Sequence, residues 1–352
     1  MNTIALLTGA NGMDAKTLTH FLLRKNNYTV ILTYRRSTSL DLNKIKVLYT
    51  KDLIDNPNSR LDFIFMDITD QSSIKYAIKN ILENPKYGKI DEFYSLASQS
   101  HVGHSFENPL YTMQATGIAM FYILEAIKDL TPKTKVFQAS TSEMFGGDPS
   151  KCPFNEESEF ELRSPYAVAK NVAYDWAKYF RQTHDMFVSS AFCFNHSNFY
   201  RHDSFYISKC AVAATKIALG KQKELILGNL DFARDESFSD YCCEAFWKML
   251  QLNEPQDFVI GRGRAFTGIE VLELIFNCYN LNWQDYVKQD KKLFRENEVA
   301  KLVADSTKAQ NILGFKPERM SIKDHIRLMC EYNYSSEINQ EFNYPDVFKL
   351  FP

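Results

Sequence analysis

The sequence predicts a doubly wound parallel α/β sheet of the Rossmann type, followed by a smaller α/β C-terminal part that binds substrate. Three observations carry this. Through the first half of the chain, short β-rich runs alternate with amphipathic helical stretches, the pattern of a parallel sheet covered on both faces. A glycine-bearing turn, Thr8-Gly9-Ala10-Asn11-Gly12, separates the first run from the first helical stretch. After Asn195 the rhythm changes to a loop, a helix and shorter strands.

The elements follow in order. Residues 4–8 read as the first strand, and 13–25 as a helix with Leu18, Phe21 and Leu22 at i, i+3 and i+4, ended by Asn26-Asn27. Residues 28–33 form the second strand, and 63–66, 93–96, 136–139 and 188–194 the next four. Helices are expected at 72–82, 111–129 and 165–180. Beyond Asn195 come a helix at 204–219 closed by Gly220 and a short strand at 225–227. Residues 1–194 are expected to form the sheet domain, with the chain returning to it around 235–262. Residues 195–234 and 263–352 are expected to form the substrate domain, the ligand lying in the cleft between the two. No Pro/Gly/Ser-rich linker or internal repeat separates them.

A chain of 352 residues is too long for one small module. Its 45% hydrophobic share, with 27 Phe and 19 Tyr, excludes a disordered chain. Lys+Arg 41 against Asp+Glu 43 leaves no basic field for nucleic acid or an anionic membrane. The seven cysteines form neither Cys-x-x-Cys pairs nor His/Cys clusters at zinc spacing, so no metal is expected and a reducing, cytoplasmic location fits. No basic leader and no apolar run of about 20 residues is evident, which points away from export and from a membrane.

The turn from Thr8 to Ala15 stands where a dinucleotide fold places its phosphate loop. Gly9 would allow the tight turn, and Gly12 the close approach of backbone to pyrophosphate, held on the first helix's N–H groups by Asn11, Gly12, Met13 and Asp14. Ala15 occupies the third glycine position. NAD would call for an acid at the end of strand two, roughly 20 residues past the turn. That segment instead carries Arg35 and Arg36, guanidinium groups suited to a 2′-phosphate, so NADP is the expected cofactor. Asp67 and Ile68, after strand three, would contact the adenine.

Ser164-Pro165 is an N-cap and first helical position, so Tyr166 and Lys170 fall at i, i+4 on one helical face. A phenol has an unperturbed pKa near ~10, and an adjacent ammonium lowers it toward use as a base. At the end of strand five, Ser140-Thr141-Ser142-Glu143 would deliver a hydroxyl and a carboxylate to the carboxyl edge of the sheet, Thr141 and Glu143 on one face.

These residues, with Leu96-Ala-Ser-Gln-Ser-His101, Arg163-Ser-Pro-Tyr-Ala-Val-Ala-Lys170, Phe194-Asn-His196, Leu227-Gly-Asn, Arg234-Asp235 and Arg295-x-x-Glu298, resemble the extended short-chain dehydrogenase/reductases, and among them the GDP-mannose 4,6-dehydratases. The resemblance spans nearly the whole chain. It implies Thr141, Glu143, Tyr166 and Lys170 as catalytic. It adds Leu96, Ala97, Ser98, Tyr166, Lys170 and His196 to the cofactor site. Asn195, Lys209, Arg234, Arg295 and Glu298 would hold a nucleoside diphosphate, and Ser100 would touch the sugar. A homodimer or homotetramer is also implied. The family's usual continuation after Asn195-His196 is replaced here by Ser197-Asn198-Phe199-Tyr200-Arg201-His202, and its Trp-Gly after Arg234-Asp235 is absent, leaving a loop at 236–239 one residue short. These departures fall in the substrate half.

The reaction so implied is internal hydride transfer through NADP with loss of water, turning GDP-mannose or a related GDP-manno-sugar, such as a GDP-heptose, into a 4-keto-6-deoxy sugar. A nucleotide-sugar 4-dehydrogenase or epimerase would use the same Tyr–Lys pair without elimination, and Glu143 weighs against it. A non-catalytic protein that binds NADP and a nucleotide sugar is the other alternative, and the intact Tyr166 and Lys170 weigh against that.

Overall fold

The computed structural model describes residues 2–35, 59–294, 299–342 and 347. The chain divides into two units. The first comprises Met1–Met144, Leu162–Cys193 and Cys243–Phe258, and the second Phe145–Glu161, Phe194–Cys242 and Val259–Pro352.

Six strands of the first unit are mutually parallel: β1 (Thr3–Leu7), β2 (Tyr28–Tyr34), β3 (Leu61–Phe65), β4 (Glu92–Ser95), β5 (Lys135–Ala139) and β6 (Val188–Cys193). Their order is 3-2-1-4-5-6, with a seventh strand beginning at Phe258 beyond β6. The order reverses between β1 and β4, and their carboxyl ends open there as the crevice where doubly wound folds bind ligands. Nearly every residue of β1 and β2 is buried, as strands covered on both faces require.

Helices α1 (Met13–Arg24), α2 (Gln71–Glu83), α3 (Pro109–Leu130) and α4 (Pro165–His184) follow β1, β3, β4 and β5 in the chain. On one face Ile74, Ile78 and Ile81 of α2, Ile123 and Ile127 of α3, and Ala173, Ala177 and Phe180 of α4 close over Ile4, Phe93, Val136 and Val188. Residues 243–251 lie on the opposite face, where the Phe246 ring sits 4.5 Å from that of Phe137. Burying such a ring is worth about 1.5–3 kcal/mol. Asp257 takes both guanidinium nitrogens of Arg181 at 2.7 Å and the Ser190 N–H at 2.9 Å, which ties α4 to β6.

Helix α3 departs from expectation in two ways. It begins at Pro109 after a separate short helix, Val102–Glu107, and contains a π turn, Met113–Ile118. Its 22 residues also have the length and hydropathy to cross a membrane, although the sequence showed no such run, but its Ile123, Leu124, Ala126 and Ile127 are buried in the core.

The second unit holds two small sheets. Strand Ala233–Phe238 pairs antiparallel with Ala265–Thr267 and parallel with both Asn195–Ser197 and Lys301–Leu302. Leu225–Leu227 pairs with Val287–Gln289. Residues 145–161 were expected in the sheet domain but belong here. The Phe145 ring stacks on Phe154 at 5.2 Å and packs near Phe160 and Phe194, while Phe154 bridges to Ala304. The return to the sheet unit spans Cys243–Phe258, shorter than the expected 235–262, because 233–238 is a strand of the second unit. Residues 236–239 are accordingly no loop. They end that strand and begin the helix Ser239–Gln251.

Candidate active site

Hydrogen bonds from three strands hold the glycine turn. Thr8 Oγ1 donates to the Tyr94 carbonyl and accepts from the N–H groups of Leu96 and Ala97, each at 2.8 Å. Gly9 N–H donates to Thr33 Oγ1 at 3.2 Å and Ala10 N–H to the Thr33 carbonyl at 2.9 Å. Gly9 adopts φ +85°, and a Cβ there would lie 3.2 Å from Ala97 Cβ. A Cβ on Gly12 would meet the Gly9 carbonyl at 3.2 Å. Gly9 is required by its left-handed backbone, and at Gly12 a side chain would crowd the Gly9 carbonyl, so the turn forms a close cradle. Ala15, in the third glycine position, is buried.

Gly12 is the N-cap of α1, and no side chain caps that helix. Its first-turn N–H groups, beside exposed Asn11 and half-buried Asp14, point to the switch point and fit a pyrophosphate. Arg35 extends from the end of β2 and is exposed. Its guanidinium donates to Tyr111 Oη at 3.2 Å and lies 4.0 Å from the Asp67 carboxylate. Tyr111, 76 positions away in the chain, was not singled out from sequence, where nothing local marks it. Asp67 also accepts from the Thr69 N–H and hydroxyl, so its own turn anchors it. Ile68 packs on the core of the sheet, and Leu96, Ala97 and Ser98 lie half-buried just past β4. Arg36 falls outside the described residues.

Ser164 caps α4 by accepting from the Ala167 N–H at 3.1 Å, with Pro165 at the first helical position. The cap sets the phase of the helix, so Tyr166 and Lys170 share a face, 7% and 5% exposed. Lys170 Nζ donates to the Ala139 carbonyl at 2.7 Å and lies 5.8 Å from the centre of the Tyr166 ring. Burial lowers the ammonium to about 8, against the pull of Cys193 and Asp14. Ala139 ends β5, and the chain continues at once into buried Thr141 and a 3₁₀ turn, Ser142–Phe145. Thr141 and Glu143 do not alternate as on a strand. Instead the Glu143 backbone N–H donates to Thr141 Oγ1 at 3.3 Å, which fixes the turn that carries both residues.

Gly117, within the π turn of α3, lets that helix approach α4. A Cβ there would lie 2.8 Å from Met113 Sδ and 3.1 Å from the Ala169 carbonyl. The turn therefore backs the segment of α4 that carries Tyr166 and Lys170, a packing role of the kind in which π turns recur at functional sites. His101 and His104 serve local structure, since His101 Nδ1 accepts from the His104 N–H at 3.2 Å and caps the short helix. Ser100 is exposed just before it.

In the second unit, Asn195, His196, Arg201, Phe232, Arg234 and Glu236, with aromatic and aliphatic neighbours, line a small mixed pocket of about 70 Å³. His196 Nδ1 bonds the Phe194 carbonyl at 2.9 Å. Arg234 donates to the Ala233 carbonyl and lies over the Phe232 ring. Lys209 stands outside this lining, its ammonium on the Ile226 carbonyl at 2.9 Å. Arg295 and Glu298 lie outside the described residues.

Arg201 and Glu236 were missed as site residues. They sit in the two segments that depart from the family pattern. Ser197 Oγ donates to the Glu236 carboxylate and bonds His325 Nε2 at 3.1 Å. Burial raises Glu236, and burial pushes Asp235 up to about 6 although three backbone N–H groups reach it. Phe199, from the same altered segment, packs on Tyr332 and Phe342 and is buried rather than facing the pocket.

A doubly wound sheet whose glycine turn faces a Tyr-x-x-x-Lys helix at the same switch point is that of an extended short-chain dehydrogenase/reductase. Structures of that fold are similar over almost the full chain. They include the dTDP-glucose 4,6-dehydratase DesIV from Streptomyces venezuelae (TM-score 0.81, 20% identity, 96% of this chain and 99% of that one) and a UDP-glucose 4-epimerase from Thermus thermophilus (TM-score 0.78, 19% identity, 94% and 99%). Since both chemistries share the fold, the sequence match decides the family. The model of the GDP-mannose 4,6 dehydratase family matches residues 6–329. GDP-mannose 4,6 dehydratase 2 of Arabidopsis thaliana is 38% identical over 320 residues, 90% of this chain and 83% of that protein. The chain belongs to the GDP-mannose 4,6 dehydratase family.

Proposed function

We propose that the protein is an NADP-dependent GDP-sugar 4,6-dehydratase that converts GDP-mannose or a related GDP-manno-sugar to the 4-keto-6-deoxy sugar. The observation that supports the reading is that Glu143 follows Thr141 in the turn that leaves β5, the strand to whose end Lys170 is fastened. An alcohol dehydrogenase of this fold needs a hydroxyl, a tyrosine and a lysine. The added carboxylate supplies the acid–base group that elimination requires.

The chemistry that a bound nicotinamide would supply is reversible hydride transfer between carbon 4 and carbon 6 of the sugar. Tyr166 takes the proton of the 4-hydroxyl, and the Lys170 ammonium favours the tyrosinate by its charge. Thr141 donates a hydrogen bond to the carbon-4 oxygen. The resulting ketone makes the carbon-5 proton acidic. Glu143 removes that proton and delivers one to the departing 6-hydroxyl, so water leaves and the carboxylate is restored. Reprotonation at carbon 5 completes the product with no net redox change.

The uncapped first turn of α1 holds the cofactor pyrophosphate, and Arg35 with Arg36 the 2′-phosphate. Asn195 and Arg234, on one pocket, hold the nucleoside diphosphate of the GDP-sugar together with Lys209, Arg295 and Glu298. The seven cysteines are free thiols, which fits a cytoplasmic location. Incubation with NADP and a panel of GDP- and other nucleotide-sugars, followed by mass spectrometry, tests the reading. Loss of water from a GDP-manno-sugar alone is expected. A product that keeps its 6-oxygen, or turnover only of dTDP- or UDP-sugars, overturns it.

A further inference from the structure

We propose that Cys278 and Cys330 form a reversible disulfide, Cys278 attacking a small hydroperoxide and Cys330 resolving the product. Of the seven cysteines, Cys278 is the exposed one, while Cys152 and Cys193 are half-buried and the others buried. It stands directly after the helix Gly268–Asn277, and Cys330 lies on the helix Ile322–Glu337. Both line one groove of about 640 Å³, together with Arg327 and Tyr334, wide enough to admit a small oxidant. The adjacent Tyr279 ties the two helices together. Its hydroxyl donates to the Cys330 carbonyl at 3.0 Å and bonds Thr215 Oγ1 at 2.7 Å.

The two thiols are unequal in the way a redox pair needs. The Cys278 and Cys330 side chains meet, and that contact is the largest influence on the Cys278 thiol, lowering it against the opposing effects of burial and Glu331, with Arg327 acting in the same direction as Cys330. The same contact, followed by burial, raises Cys330. Cys278 is thus the thiolate that reacts first, and Cys330 the protonated partner held against it. Burial raises Cys152, Cys193 and Cys210, which leaves them unreactive by comparison.

The steps balance. The Cys278 thiolate attacks one oxygen of the hydroperoxide, the O–O bond breaks, and the alcohol or water leaves with a proton, giving a sulfenic acid. Cys330 sulfur then attacks the Cys278 sulfur, the S–O bond breaks, and the hydroxyl departs as water with the proton of the Cys330 thiol. Two thiols are oxidised and one peroxide is reduced. The bond would staple the C-terminal end of the helix Gly268–Asn277, whose Val271 helps wall the small pocket of this unit, to the helix Ile322–Glu337.

The test uses the full chain, treated with hydrogen peroxide, alkylated with iodoacetamide and digested for mass spectrometry. The expected product is a peptide pair joining Cys278 to Cys330, two hydrogens lighter than the sum, that dithiothreitol separates. In Cys330→Ala, which removes the donor, dimedone should trap a sulfenic acid at Cys278, and the rate of Cys278 alkylation near neutral pH should fall several-fold. Recovery of both cysteines as separate alkylated peptides from the unmutated chain, or pairing of either with a different cysteine, overturns the proposal. Unchanged alkylation of Cys278 in Cys330→Ala counts equally against it.

Discussion

Lys170 Nζ donates to the carbonyl of Ala139 at 2.7 Å, so the buried ammonium of α4 is fastened to the strand end that leads into Thr141 and Glu143. One hydrogen bond thereby ties the helix that carries Tyr166 and Lys170 to that strand end. It also holds a buried positive charge, with a consequence for stability.

Burial lowers Lys170 from 10.5 to about 8. The folded-state value lies below the unfolded one, so the unfolded chain binds more protons between the two, and stability contributed at this site rises with pH across that window. The cost of the buried charge is present in full below about pH 8 and is relieved as the pH climbs toward 10.5. In Lys170→Met the difference in stability from the unmutated chain should therefore shift toward the unmutated chain between pH 7.5 and pH 10, by urea unfolding at each pH. A difference that does not change with pH would contradict the burial. Turnover in this variant should fall by about 10²–10⁴-fold at any pH.

Gly117→Val tests the backing of the catalytic helix. The new Cβ would press on Met113 Sδ at 2.8 Å and the Ala169 carbonyl at 3.1 Å, and the branched side chain would add to the overlap. Overpacking of this kind costs about 1–3 kcal/mol. Denaturant unfolding should show that loss, and kcat should fall more than KM changes, since α4 carries Tyr166 and Lys170. Full stability with full activity would mean that the π turn yields without moving α4.

Cofactor preference rests on Arg35 and Arg36. NADP(H) should bind more tightly than NAD(H), and replacing both arginines with alanine should narrow the gap, each charge-assisted phosphate contact being worth about 1.5–3 kcal/mol. Arg35 sits between the Tyr111 hydroxyl and the Asp67 carboxylate, so Asp67→Asn should weaken NADP(H) binding less than Arg35→Ala does. Titration calorimetry reads both, and equal affinities for the two cofactors in the unmutated protein would refute the assignment.

Self-association is the fourth expectation. Leu110 is 80% exposed, and Tyr111, Val168 and Tyr179 also present large apolar surface on α3 and α4. A pair of chains that matched these helices would cover it. Light scattering at micromolar concentration should give at least a dimer, reduced to monomer by Leu110→Glu with Val168→Glu. A monomer in the unmutated protein would end this reading.

Much of the first unit was legible from local pattern. The run before Gly9, the cap Ser164-Pro165 and the i, i+4 spacing of Tyr166 and Lys170 are each decided by neighbouring residues, and local rules reach them. The π turn was not, because Met113-Gln-Ala-Thr-Gly-Ile118 keeps an ordinary helical periodicity, and the extra residue is absorbed only where Gly117 meets Ala169. The place of residues 145–161 was hidden for a similar reason. Phe145, Phe154 and Phe160 look like loop aromatics until Phe194 and Ala304 come up against them. Glu236 joins the pocket through parallel pairing with Asn195, a register set between strands 41 positions apart. Nothing local in the sequence marks Cys278 as the exposed cysteine, which follows from its place directly after a helix end.

The central claim is that Glu143 acts only after carbon 4 has been oxidised, and Glu143→Gln tests it most directly. The tyrosine, lysine and cofactor cradle remain in that variant, so mixing it with NADP and a turned-over GDP-manno-sugar should build up the absorbance of reduced nicotinamide. Release of the 4-keto-6-deoxy product should meanwhile fall by about 10²–10⁴-fold. Tyr166→Phe should show neither signal. Full product release by Glu143→Gln, or its loss without any accumulation of reduced cofactor, would contradict the account.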